Sequence, residues 1–134
     1  AAEGASAQRL AMQWAVRINQ AYQRLKDPLR RAAYLCELRG APVNAESNTA
    51  MPADFLMQQM GWREDLEAAN DPAAVDALER DLRRAETTML DELAHTLDER
   101  GDATAAAQQV RALMFVDRFR QDLDRRLETL ETSR

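Results

Sequence analysis

The stretch Ile18-Asn19-Gln20-Ala21-Tyr22-Gln23-Arg24-Leu25-Lys26-Asp27-Pro28-Leu29-Arg30-Arg31-Ala32-Ala33-Tyr34-Leu35 decides the fold of this chain. Ile18, Ala21, Tyr22 and Leu25 recur at helical spacing and make one apolar stripe. Pro28 cannot continue that helix, because it lacks the amide hydrogen and clashes with the preceding turn. It suits the first turn of a new helix, with Asp27 placed to cap it. Tyr34 and Leu35 carry the apolar face onward. The stretch therefore predicts two helices joined without a loop, a helical hairpin.

Working outward, the spacing predicts a first helix from about Ser6 to Lys26, with Leu10, Trp14, Ile18, Ala21 and Leu25 facing inward. The second helix runs from Pro28 to Arg39, closed by Gly40, which can take the left-handed conformation. From Gly40 to Met51 no apolar period survives, and Gly40, Pro42, Asn44, Ser47 and Asn48 punctuate the run. That reads as a linker over residues 41–51, dividing a hairpin unit at 1–40 from a bundle at 52–134. A third helix spans about Pro52 to Ala69. Asn70-Asp71-Pro72 then stops it and starts the fourth. The fourth carries Val75, Leu78, Leu82, Ala85, Met89, Leu93 and Leu97 as a near-heptad seam, and ends around Arg100-Gly101. The fifth follows Asp102 with Leu113, Val116, Leu123, Leu127 and Leu130. Two long helices joined by a short glycine turn lie antiparallel, and the third helix covers them to make a three-helix bundle. The fold class expected is all-α.

Composition agrees and narrows function. The 134 residues are 46% hydrophobic and 31% charged, with only 5% aromatic, a profile of a globular helical protein. Net charge is −5, and no basic stripe exists to neutralise phosphates, so nucleic-acid binding is disfavoured. No apolar run is long enough to span a bilayer. Cys36 is the single cysteine, which rules out an internal disulfide framework and fits a reducing compartment. It reads as a small buried apolar residue, and His95, the single histidine, as a solvated one off the seam. One cysteine and one histidine on different helices do not make a zinc site. The carboxylates of Glu64-Asp65 and Asp91-Glu92 diverge around their helices, and no glycine-rich phosphate loop is present. The chain reads as a non-enzyme without cofactor or metal.

The third helix carries more apolar surface than one core uses. Met51, Phe55, Trp62, Leu66 and Ala69 share a narrow arc, whereas Leu56, Met57 and Met60 fall roughly 90–200° away from Phe55. Glu64, Glu67 and Ala68 sit on this second side. Phe115 lies at the shoulder of the fifth helix's stripe, with Met114 nearly opposite. Such a two-sided helix is either sandwiched or presents a recognition surface, and methionine suits a surface that must fit a partner. Leu56, Met57 and Met60 could instead dock on the first two helices, or be buried in a homodimer.

The wording of the hairpin resembles the second half of a J-domain, where I-N-x-A-Y-x-x-L-x-D-P-x-x-R-x-x-Y joins the third and fourth helices. Tyr34-Leu35-Cys36-Glu37-Leu38-Arg39-Gly40, then Asp54-Phe55-Leu56-Met57-Gln58-Gln59-Met60 with Arg63-Glu64-Asp65-Leu66, then Val110 to Asp117, narrow this further. Taken together, over nearly the whole chain, they are similar to the HscB family of J-type co-chaperones of iron–sulfur cluster assembly. The resemblance implies a non-catalytic helper that binds the IscU-type scaffold protein through its C-terminal bundle. It implies delivery of that scaffold to an HscA or DnaK-type chaperone, whose ATPase a complete J-domain stimulates. The implied scaffold-binding residues are Leu56, Met57, Met60, Glu64 and Phe115, facing outward. Gly61 and Ala68 stand where the family carries acidic residues. The sequence holds no His-Pro-Asp, the J-domain signature, so the resemblance implies a chain that starts part-way through that domain. A bacterial cytoplasm, or a mitochondrial matrix in a eukaryote, is the implied location. The alternative is a helical adaptor or self-associating bundle with no chaperone role.

Overall fold

The computed structural model describes residues 2–133, with the side chains of 2, 3 and 20–26 outside the description. Every regular element among the described residues is helical: α1 (Ala2–Lys26), α2 (Pro28–Leu38), α3 (Phe55–Ala68), α4 (Pro72–His95), a π turn (Thr96–Arg100) and α5 (Ala103–Thr132). The starts are set by local chemistry. Asp27 Oδ1 accepts from the amides of Leu29 and Arg30 at 2.9 and 3.2 Å, with Pro28 opening α2. Asp71 Oδ1 accepts from Ala74 at 2.8 Å, with Pro72 opening α4, and Asp102 Oδ1 accepts from Ala105 at 3.1 Å at the head of α5. Each such cap satisfies an otherwise orphaned first-turn donor and is worth about 1 kcal/mol. Gly40 and Gly101 end their helices at φ +80° and +64°, where a β-carbon would be strained.

The end of α4 departs from a simple helix. In the π turn the amide of Gly101 donates to the carbonyl of Thr96, so the carbonyl of Leu97 is left for another donor. Arg39 Nη1 supplies it at 3.0 Å, reaching across from the end of α2. One register slip in α4 thus creates a tie between the hairpin and the bundle.

Two cores lie in series along α5. Toward its N-terminus, Ala106, Ala107, Val110 and Leu113 pack with Leu93 and Leu97 of α4 and its π turn, Ala32 and Cys36 of α2, and Val43. Farther along, Ala112, Phe115, Val116, Phe119 and Leu123 pack with Val75, Leu78 and Leu82 of α4, with Phe55 and Trp62 of α3, and with Ala69 just past its end. The expected seam of α4 and the expected inner arc of α3 fall in these cores, with Met51, Leu66, Ala85 and Met89 packed at their edges. Cys36 is fully buried, and burial pushes its thiol above its ordinary value, with Arg39 and Arg111 partly opposing.

The segment 41–51 is fastened to the bundle by a side chain from α5. Arg111, only 5% exposed, donates from Nε to the carbonyl of Val43 at 2.7 Å. Its Nη1 donates to Ala50 at 3.0 Å and its Nη2 to Pro42 at 3.4 Å. Three backbone carbonyls, rather than a carboxylate, satisfy this guanidinium. The path between those carbonyls turns at Asn44, at φ +42°, a conformation asparagine tolerates.

α1 does not follow its sequence pattern. Leu10, Trp14 and Ile18 were expected inward, yet they are 55%, 55% and 66% exposed. Ala21 and Leu25 fall outside the described side chains. The reason is geometric: α1 packs mainly on α2, so among the described residues most of its circumference meets no other helix. Arg17 lies over the Trp14 ring, 5.7 Å from its centroid.

A two-sided helix as candidate docking site

The position of α3 is fixed from below by four rings. Phe55 and Trp62, one side of α3, meet Phe115 and Phe119 of α5. Phe55 is edge-on to both Trp62 and Phe115, at 5.9 and 5.8 Å between centroids. Trp62 stacks on Phe119 and Phe115 on Phe119, at 6.1 and 5.9 Å. Such pairs contribute about 0.5–1.5 kcal/mol each beyond the area they bury. At its far end, Arg126 of α5 donates from Nε and Nη2 to the carbonyl of Ala69, at 3.3 and 3.0 Å. The helix is thereby held at both ends with one face down.

The other face is bare. Leu56, Met57 and Met60 are 61%, 72% and 51% exposed, and Glu64, Glu67 and Ala68 are exposed beside them. Neither the first two helices nor any other described element covers them. Full burial of a leucine or methionine side chain is worth about 1.5–3 kcal/mol. Given how much of each is still exposed, the three hold roughly 3–5 kcal/mol of unrealised burial.

Phe115 corrects the sequence reading. It was expected outward, but its ring is 8% exposed and sealed between Phe55 and Phe119. The cause is that α5 is packed on more than one side, so the shoulder of its stripe is interior. What reaches the surface above Phe115 is Arg63, whose guanidinium carbon lies 5.4 Å from the ring centroid. Gly61 has no atom within 4 Å of where a β-carbon would sit, so no close contact requires a glycine there.

Chemistry elsewhere is sparse. Among the described residues no three metal-ligating side chains converge. His95 is half exposed and sits 2.9 Å from Glu99 Oε2 through Nδ1, one turn along. No described helix is long and apolar enough to cross a membrane. The arrangement is suited to holding a partner's apolar side chains against a rigid helix.

Residues 51–124 match a family model described as the HSCB C-terminal oligomerisation domain. A co-chaperone protein HscB homolog of Burkholderia multivorans is 49% identical over 135 residues, spanning 98% of this chain and 77% of that protein. The homolog of Bordetella petrii is 54% identical over 116 residues, 86% of this chain and 68% of its own length. The solved structure of chaperone HscB from Vibrio cholerae superimposes with a TM-score of 0.78 at 41% identity, covering 90% of this chain and 73% of that one.

Proposed function

This chain belongs to the HscB family of co-chaperones, and from that premise we propose that it serves iron–sulfur cluster assembly by holding a scaffold protein of the IscU type on the bare face of α3. Residues 52–134 form the holding unit, residues 1–40 the J-domain side, and 41–51 the connection. The scaffold is handed to a DnaK-type chaperone of the HscA kind, and catalysis resides in that chaperone's ATPase. Stimulation of the ATPase belongs to a complete J-domain with its His-Pro-Asp loop. The bacterial relatives make the cytoplasm the proposed location.

The observation that carries the reading is the exposure of Leu56, Met57 and Met60 on a helix that buries Phe55 and Trp62. Exposed apolar side chains grouped on a rigid support mark a partner-binding surface, and methionine adapts to a partner's shape. Glu64 lies one turn beyond Met60 and supplies a polar edge. Phe115 contributes from below, as the floor that keeps α3 and Arg63 in place.

Replacing Leu56, Met57 and Met60 together with alanine tests it. Scaffold binding by titration calorimetry should weaken roughly 30- to 1,000-fold, the equivalent of losing about 2–4 kcal/mol, with helicity and melting temperature retained. Unchanged binding refutes the proposal. A second reading is favoured by the family's description as an oligomerisation domain: the same face pairs with a second copy. Sedimentation separates the two. Under that reading the parent is a dimer at micromolar concentration and the triple variant a monomer.

A further inference from the structure

The corner between α4 and α5 closes in an uncommon register. A helix that ends at a left-handed glycine ordinarily closes with two crossed hydrogen bonds. With Gly101 as that glycine, at φ +64°, the amide of Asp102 would go to the carbonyl of Leu97 and that of Gly101 to Asp98. Here both amides converge instead on the carbonyl of Thr96, Asp102 at 3.2 Å. The Leu97 carbonyl is thereby vacated, and Arg39 Nη1 donates to it at 3.0 Å. Arg39 makes no ion pair among the described residues. Its neighbours Glu37, Leu38 and Gly40 are exposed, so the guanidinium is what ties this end of α2 to the corner.

One carbonyl therefore has two alternative donors. Leu97 is 5% exposed, and a buried carbonyl without a donor is costly. With the guanidinium in place, a charge-assisted bond satisfies it, stronger than the neutral amide bond it replaces. With the guanidinium gone, the amide of Asp102 is the donor one residue away. Thr96 then takes the amide of Arg100, as in any α-helix. The backbone carbonyls of the corner keep their donors in either register, so Arg39 decides between them. A cleft of about 250 Å³ beside Leu97 and Asp98, walled by Leu35, leaves the turn room to shift.

We propose that this corner is a two-position latch read by Arg39. With the last turn of α2 seated, Arg39 holds Leu97 and α4 ends in the π register. With that turn drawn away, Asp102 takes Leu97 and α4 ends as an ordinary α-helix. The coupling runs both ways: whatever fixes the ordinary register loosens Arg39 by the same factor. The change reaches α5, because Asp102, whose amide changes partner, also caps α5 through the amide of Ala105 at 3.1 Å. A pull on the hairpin thus arrives at the first turn of the helix that carries both cores. The latch is independent of what docks on α3.

Magnetic-resonance couplings transmitted through hydrogen bonds, measured on the isotope-labelled full chain, name the acceptor of each amide. In the parent, the amides of Gly101 and Asp102 should both couple to the carbonyl carbon of Thr96. In R39M the coupling of Asp102 should move to Leu97 and that of Gly101 to Asp98. R39K should keep the parent pattern, since one hydrogen bond has to be replaced and the charge is kept. The amides of Gly40 and Ala41, bonded to Glu37 and Cys36 at 3.1 and 2.9 Å, should exchange roughly tenfold faster in R39M. Both variants should stay folded, because Arg39 is exposed and lies outside the two cores. An R39M chain whose Gly101 and Asp102 amides still couple to Thr96 overturns the latch, whatever the exchange at α2 does, and leaves Arg39 a passive tie.

Discussion

Replacing Arg111 by methionine keeps most of the volume of this buried side chain and removes all its donors. The structure sets the cost. Hydrogen bonds from a charged donor contribute about 1.5–3 kcal/mol each. The bonds to Val43 and Ala50, at 2.7 and 3.0 Å, count in full, and the 3.4 Å bond to Pro42 counts for little. The released carbonyls of residues 42–50 can swing out to water, which limits the loss to about 3 kcal/mol. That is a large part of the 5–15 kcal/mol or so by which small domains are stable. At roughly 3 °C per kcal/mol for this size, the melting temperature should fall by about 10 °C. Lysine, a single point charge, replaces only part of a three-pronged contact and should cost about half as much. Alanine adds a cavity and should cost more than methionine. Amide exchange adds location: the amides of Ser47 and Asn48, both bonded to the carbonyl of Asn44 within the clamped segment, should lose protection in R111M before those of α4 and α5. An R111M protein that melts within a degree of the parent, with unchanged exchange over 41–50, would refute the clamp.

Gly61 sits inside α3 with open space where a β-carbon would go, so G61A should stabilise by about 1 kcal/mol through helix propensity alone; urea unfolding checks it, and a loss of stability would show that the glycine serves some backbone need. Asp117 is affected by burial and by Glu86, which push its carboxyl above its ordinary value, with Arg120 opposing from 3.4 Å. A carboxyl raised in the folded state contributes stability below its unfolded value near 3.8, and that contribution is lost as pH rises through the folded value. D117N should therefore gain a few tenths of a kcal/mol at pH 7, scaled down because the side chain is half exposed. It should gain nothing at pH 3. Urea melts across that range decide it, and destabilisation at pH 7 is the contrary result.

What was legible in the sequence was local. Asp27-Pro28, Asp71-Pro72 and Asp102 each carry their own cap and stop signal within four residues, so the helix starts could be read directly. The seam of α4 and the inner arc of α3 were readable because each has a single partner side. α1 was not, because an apolar stripe announces a partner without saying whether one is packed there. Phe115 was misplaced for the opposite reason: α5 meets neighbours on several sides, and a position at the edge of its stripe is then interior. The segment 41–51 looked like an unanchored break because its fastening runs through backbone carbonyls, which no side-chain pattern records. Arg111 lies within the run Val110 to Asp117, and its sequence context assigned it no role. Its signal was a lone charge inside the apolar run Val110-Arg111-Ala112-Leu113, with acceptors more than sixty residues away. The bare patch of Leu56, Met57 and Met60 was readable as a second stripe, whereas the Arg63–Phe115 contact needs two helices brought together.

The serial arrangement of the two cores turns α5 into a ruler. Ala106 sits under the hairpin and Phe119 under α3, thirteen residues apart, so about 20 Å of continuous helix separates the two stations. On the proposed function, a cargo gripped at one station would be displayed to whatever engages the other at a set offset and orientation, in the manner of two tools mounted on one handle. A floppy tether would only raise local concentration; a stiff rod also dictates which side of the cargo is presented.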